Sequence, residues 1–224
     1  MPAARGGVPM TVAFRNPKGG AMKRLAIGLL LVIATAGCMG PARPQPHTDV
    51  LHDICWANDL FKVYTHDRLA FTFNVQLPGK IVQRRWVWHI KTNRVELDGA
   101  EQPVSQAFIN DIYWLLFPLK AYESRDQIQV TINRHRSAPL SGAARTEVVI
   151  RYVSGKGYTP DDTYKLYVDD NLIVREWSYL KASREPPARI TTWSGYETIG
   201  GVQLSLLREG PKGFKVWFTD VGFE

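Results

Sequence analysis

The strongest constraint on how this chain folds is an alternation of apolar and polar residues with a period of two. Leu69, Phe71, Phe73 and Val75 fall on one side of an extended segment, with Arg68, Ala70, Thr72 and Asn74 on the other. Successive side chains of a strand point to opposite faces, so this segment reads as a half-buried strand and not as a helix. Pro78-Gly79 turns the chain. Residues 81–90 then repeat the alternation, with Trp86, Trp88 and Ile90 on one face. Lys91-Thr92-Asn93 turns again, 94–97 returns, and Asp98-Gly99 closes that strand.

The same grammar continues to the end of the chain. Strands are predicted at 127–133, 146–153, 164–168, 172–180, 189–196, 202–206 and 213–218, separated by Pro139 and Gly142, Gly155 to Asp162, Pro186-Pro187 and Gly200-Gly201. Asp169-Asp170-Asn171 reads as a hairpin turn, because Asp and Asn tolerate the backbone geometry such turns need. Two stretches depart from period two. One is a short helix over 48–58. The other lies between 104 and 116, where Phe108, Ile112, Leu115 and Leu116 take helical spacing and Pro118 is expected to stop the run. The fold class expected is mostly β (α+β), an antiparallel sheet that curls into a barrel or half-barrel.

The N-terminal part follows different rules. From Met22, Lys23 and Arg24 precede an apolar run from Leu25 to Ile33, and the small residues Ala34 to Gly37 follow. Charge, apolar run and small residues in that order are a secretory signal, and the run falls short of the ~20 apolar residues of a membrane span. Thr35-Ala36-Gly37-Cys38 resembles the lipobox of bacterial lipoproteins, in which the cysteine is lipidated and the chain is cleaved before it. Thr35 departs from the aliphatic residue usual at its position. The rival reading is an ordinary signal with an incidental cysteine. The expected organisation is a removed extension and signal over 1–37, a lipidated Pro-rich tether over 38–46, and one folded domain over 47–224. Translation is expected to start at Met22, with Met1 as the alternative.

Charge points the same way. The whole chain carries 28 basic and 21 acidic residues, a net of +7. Arg5, Arg15, Lys18, Lys23 and Arg24 all lie in the leader, which has no acids. Without it, 23 basic and 21 acidic residues remain, a net of +2. The basic balance that suggests a nucleic-acid partner therefore leaves with the leader.

Two phrases resemble the LolA/LolB-like superfamily of lipoprotein carriers. One is Asn110-Asp111-Ile112-Tyr113-Trp114-Leu115-Leu116-Phe117-Pro118-Leu119-Lys120. The other runs from Tyr164 to Val202, through Trp177, Thr192-Trp193-Ser194-Gly195-Tyr196 and Ile199-Gly200-Gly201-Val202. The resemblance covers most of residues 60–220. It implies an unclosed half-barrel with a few short helices over its concave face. In the best-known members, the space between sheet and helices receives acyl chains.

Aromatics are abundant, with seven Trp, nine Tyr and nine Phe. Inward-facing Phe71, Phe73, Trp86 and Trp88, with Trp114 of the predicted helix, are the candidate lining of an apolar cavity. The alternative is an ordinary aromatic core. None of the five histidines has metal-pair spacing. His66-Asp67 resembles half a catalytic dyad but reads as a turn into a strand. Cys55, three residues after His52, reads as a buried thiol. Arg84-Arg85 and Arg134-His135-Arg136 read as solvated strand faces. No nucleophile elbow, P-loop or dinucleotide fingerprint occurs. The expected function is an envelope lipoprotein that binds an acyl chain or other apolar ligand. It is expected to be no enzyme and to need no metal or cofactor. The membrane, through lipid on Cys38, is the expected partner, and Met39 in place of Asp tilts the destination towards the outer membrane, facing the periplasm. The alternative is a structural or interaction module of an envelope assembly. The sequence names no protein partner.

Overall fold

Asp49 caps the first helix: its carboxylate accepts from the His52 N–H at 3.2 Å, and α1 runs Val50–Ala57. In the computed structural model, residues 49–153 and 159–224 are described. The leader, Cys38 and the tether lie outside the described residues. The strands are β1 (Arg68–Leu77), β2 (Lys80–His89), β3 (Arg94–Leu97), β4 (Ala100–Gln102), β5 (Ile128–Ser137) and β6 (Ala144–Tyr152). After them come β7 (Thr163–Val168), β8 (Val174–Leu180), β9 (Arg189–Thr192), β10 (Ser194–Ile199), β11 (Val202–Glu209) and β12 (Lys215–Phe223). A long helix, α2 (Gln106–Glu123), separates β4 from β5.

The fold is mostly β, as the alternation requires. The strands form an antiparallel architecture that is not closed into a barrel, as expected, and it is divided between two sheets. The seven-stranded sheet has the order β10-β11-β12-β1-β2-β3-β4, and the five-stranded sheet has β5-β6-β7-β8-β9. The segment 189–196, expected as one strand, supplies the link between them. Trp193 lies between the end of β9 in one sheet and the start of β10 in the other, and its N–H donates to Arg175 O at 2.7 Å. Gly195 follows with φ +61, a left-handed value that favours glycine.

β1 pairs with β2 from Arg68↔His89 to Leu77↔Lys80, so Phe71 opposes Trp86 and Leu69 opposes Trp88. On the other face of β1, Thr72 and Asn74 are also buried, among polar groups. Asn74 donates to Trp217 O, its own side-chain oxygen accepts from Gln83, and Thr72 donates to Asp220. Strand β4 escapes the period-two pattern because all three of its residues are exposed.

Helix α2 is buried on most sides, and its aromatics reach both sheets. Phe108 meets Trp86 edge-on with ring centroids 5.4 Å apart. Phe117 lies 4.4 Å from Tyr164, and Trp114 lies 4.8 Å from Trp177. The helix does not stop at Pro118 but continues to Glu123. Proline lacks the N–H that would bond the carbonyl four residues back, and its ring crowds that carbonyl. Here that carbonyl is Trp114 O. The backbone breaks helical geometry at Leu116 (φ −121, ψ 28), and Arg208 Nη2 donates to the freed Trp114 O at 2.7 Å. A side chain from β11 thus replaces the missing backbone donor.

This substitution of donors is testable. Arg208→Met strands the Trp114 carbonyl and is expected to cost about 3 kcal/mol in urea unfolding. Adding Pro118→Ala supplies a backbone N–H for the same carbonyl. The double variant is expected to recover at least about 1 kcal/mol beyond additivity. Strictly additive losses would show that the two residues do not serve one carbonyl.

Candidate functional site

A cavity of about 380 Å³ lies where the two sheets and α2 meet. Its first wall is Phe73 and Val75 of β1 with Val216 of β12. Its second is Tyr164, Trp177 and Tyr179 of β7 and β8, and α2 adds Ile109, Tyr113 and Trp114. The polar lining residues Gln106, Asn110 and Arg189 are exposed and mark the mouth. Arg189 makes no ion pair among the described residues, and its guanidinium lies 4.4 Å over the Phe214 ring. Cavities of ~300–1,000 Å³ with apolar walls and a few polar groups are the usual form of small-ligand sites.

One buried ion pair sets the position of the helix wall. Asp111, with a side chain 0% exposed, accepts from Arg84 Nε and Nη2 at 2.6 Å each, from Trp86 Nε1 at 2.8 Å and from Asn110 Nδ2 at 2.9 Å. Every carboxylate oxygen has a partner, which is what makes a buried charge tolerable. The Asp111 carboxylate holds the Arg84 guanidinium above its ordinary value, against the opposing effect of burial. Arg84, expected as a solvated strand residue, is instead a cavity-lining residue paired to α2. Nothing in the local sequence announces this, because its partner lies 27 positions away.

The five aromatics expected to line a cavity take three different positions. Phe73 and Trp114 line the larger cavity. Trp88 lines a smaller one of about 130 Å³, together with Phe108, Lys120 and Glu123. Phe71 and Trp86 are 0% and 1% exposed and line neither. Tyr164, Trp177 and Tyr179 were absent from the sequence-based lining. Their strands were legible, but which sheet faced the helix was not.

The remaining candidate groups are placed as follows. His66 bonds Gly200 O at 2.9 Å and stacks on Phe223, while Asp67 pairs with Lys91, so the two do not form a dyad. Cys55 is fully buried, and burial pushes its thiol far above the usual range. His52 stacks among Trp56, Phe61 and Tyr122. Asp169 accepts from the N–H groups of Asn171 and Ile173 at 3.0 Å each, closing the hairpin read from the sequence. A separate groove of about 620 Å³ runs between the start of α1 and the edge strand β5, lined by Val50, Leu51, Arg125, Ile128, Val130 and Ile132.

Lys120 and Glu123, one turn apart, face the smaller cavity and pair at 3.1 Å. Burial lowers the Lys120 ammonium to about 8 and raises the Glu123 carboxyl to about 7. A carboxyl raised from about 4.5 binds its proton more tightly in the folded state. Its stabilising contribution is complete below about 4.5 and disappears as pH rises through 7. Glu123→Gln is neutral at every pH. The Tm of this variant, measured relative to the parent, is therefore expected to rise between pH 5 and pH 8. A difference that stays flat across that window would show that Glu123 titrates normally.

No protein-family profile matches the chain, and no curated protein matches it. Among solved structures, the chain is similar to a LolA superfamily protein from Nitrosomonas europaea, at 9% identity and a TM-score of 0.47, over 78% of this chain and 93% of that one. It is also similar to a DUF1329 family protein from Desulfovibrio piger, at 11% identity and a TM-score of 0.44, again over 78% and 93%. At these identities and scores, neither assigns this chain a family or a ligand.

Proposed function

We propose that this chain is a membrane-anchored lipoprotein of the bacterial cell envelope whose inter-sheet cavity takes an acyl chain or another apolar ligand, without catalysing a reaction. The observation that carries the reading is the cavity itself. Two of its walls are sheet faces and the third is a helix, and Phe73, Ile109, Trp114, Trp177 and Val216 give it an apolar interior. Gln106, Asn110 and Arg189 keep the mouth wetted. That arrangement suits a ligand with an apolar body. The anchor rests on Thr35-Ala36-Gly37-Cys38. No described helix is long and apolar enough to cross a membrane. Met39 in the position after the anchor supports an outer-membrane destination with the domain facing the periplasm.

A second reading, an interaction module of an envelope assembly, draws on the groove beside β5. That strand is an edge, and it exposes Val130 and Ile132 at 38% and 37%.

Two measurements test the first reading. The full chain carrying Cys38→Ser, titrated with a fluorescent fatty-acid probe, is expected to bind it saturably. Val75→Trp, which fills the cavity, is expected to abolish that binding. A flat titration of the parent overturns the ligand and favours the interaction module. In cells, the parent is expected to incorporate labelled palmitate and fractionate with membranes, and Cys38→Ser to do neither. Unchanged labelling of Cys38→Ser removes the anchor from the proposal.

A further inference from the structure

The smaller cavity shares a wall with the larger one. Ile109 and Tyr113 line both, so the two spaces lie on either side of the same pair of α2 side chains. Their chemistry differs sharply. Among the described residues, the larger space is lined by no buried unpaired cation, since Arg84 is held by Asp111 and Arg189 is exposed at the mouth. The smaller one holds the amine of Lys120, whose side chain is 14% exposed. Lys120 Nζ sits 4.1 Å above the Trp88 ring and donates to the two Glu123 oxygens at 3.1 and 3.3 Å. Trp88 is fixed in turn, because its Nε1–H donates to Asn93 Oδ1 at 3.0 Å. An ammonium carries three donors and no acceptor. Among the described residues this one meets Glu123 and the Trp88 face, so it has capacity for a further acceptor from the cavity.

We propose that the Lys120 cavity receives the carboxylate of an unesterified fatty acid whose alkyl chain passes Ile109 and Tyr113 into the larger cavity. The proposal rests on the reading that the larger cavity takes an acyl chain, and it names which acyl compound that is. About 130 Å³ beside a single amine suits one small anionic group. A phosphodiester with its glycerol is bulkier and calls for more than one cation. An ester or amide of the same acid offers Lys120 no charge, so it forgoes the charge-assisted hydrogen bond that is the stronger kind. Glu123 is not a fixed like charge, because burial raises its carboxyl to about 7, and a second carboxylate brought beside it favours uptake of a proton that Glu123 then donates to the ligand in a hydrogen bond.

The discriminating pair of ligands is laurate and methyl laurate, which share a chain and differ in the charged group. Both are titrated into the full chain carrying Cys38→Ser. The parent is expected to bind laurate about 10-fold or more tightly than the ester, the effect of one charge-assisted hydrogen bond in a buried site. Lys120→Met is expected to bring laurate to the affinity of the ester and to leave the ester within about two-fold, since the apolar cavity is untouched. Lys120→Arg is expected to keep part of the preference. Equal affinity for the two ligands in the parent overturns the proposal and leaves the acyl-chain reading standing, and that comparison needs no variant to fold. A preference that survives Lys120→Met, or that disappears in Arg189→Ala instead, also overturns it by placing the carboxylate elsewhere. Binding of neither ligand overturns the acyl-chain reading and this proposal together.

Discussion

The guanidinium of Arg208 is the point on which the rest of the structure depends. It is 0% exposed and has no carboxylate partner among the described residues. Its Nη groups donate to Ser205 O and Oγ, Leu207 O and Trp114 O, its Nε–H has no partner among the described residues, and its Cζ lies 3.6 Å from the centre of the Trp193 ring. Burying a cation without a counter-charge is costly, and desolvation lowers this one to about 9. It remains charged at neutral pH because carbonyl dipoles, a hydroxyl and an aromatic face replace its water. A guanidinium is suited to this, being delocalised and more weakly hydrated than an ammonium. Through these contacts one side chain joins three things. It satisfies the carbonyl that Pro118 orphans, braces the Trp193 corner where the chain changes sheet, and fixes the backbone that carries Trp114. Trp114 then packs on Trp177 and forms a wall of the cavity.

What the sequence revealed follows from the range of each interaction. Period-two alternation is a local property, so β1, β2, β7 and β11 and their turns were legible. Pro118 was expected to end the helix; instead Leu116 leaves helical geometry and the helix runs on to Glu123. What was not legible is the rescue, because the donor sits 94 residues away on another element. The split of 189–196 has the same character. Arg189 to Tyr196 alternates like one strand, and only the demands of two sheets decide that it bends at Trp193. Arg84 looked like half of an exposed basic pair because Asp111 belongs to a helix whose contacts no periodicity encodes.

The aromatics show why composition alone does not locate a site. Phe71 and Phe73 occupy the same face of one strand, as do Trp86 and Trp88 of the next. Phe71 and Trp86 are covered completely, whereas Phe73 borders the larger space and Trp88 the smaller. The difference lies in where α2 sits over that face, and the Arg84–Asp111–Trp86 contacts set that position. An apolar helix packed between two sheets has little intrinsic preference for one rotation, because burial is non-directional. Directional hydrogen bonds to a buried carboxylate supply the preference.

Asp111 and Lys120 make the consequence concrete. They lie nine residues apart, two and a half turns at 3.6 residues per turn, so a straight helix would point them to opposite sides. Both nevertheless reach β2, Asp111 at Trp86 and Lys120 at Trp88. The break at Leu116 lies between them. Pro118 therefore disrupts the helix in a way that lets its two halves present charge to the same strand. Arg208 makes that disruption tolerable by taking up the freed carbonyl. Replacing the break with a regular turn would keep the apolar burial of α2 but move Lys120 away from Trp88, and with it the one amine that, among the described residues, lines either cavity.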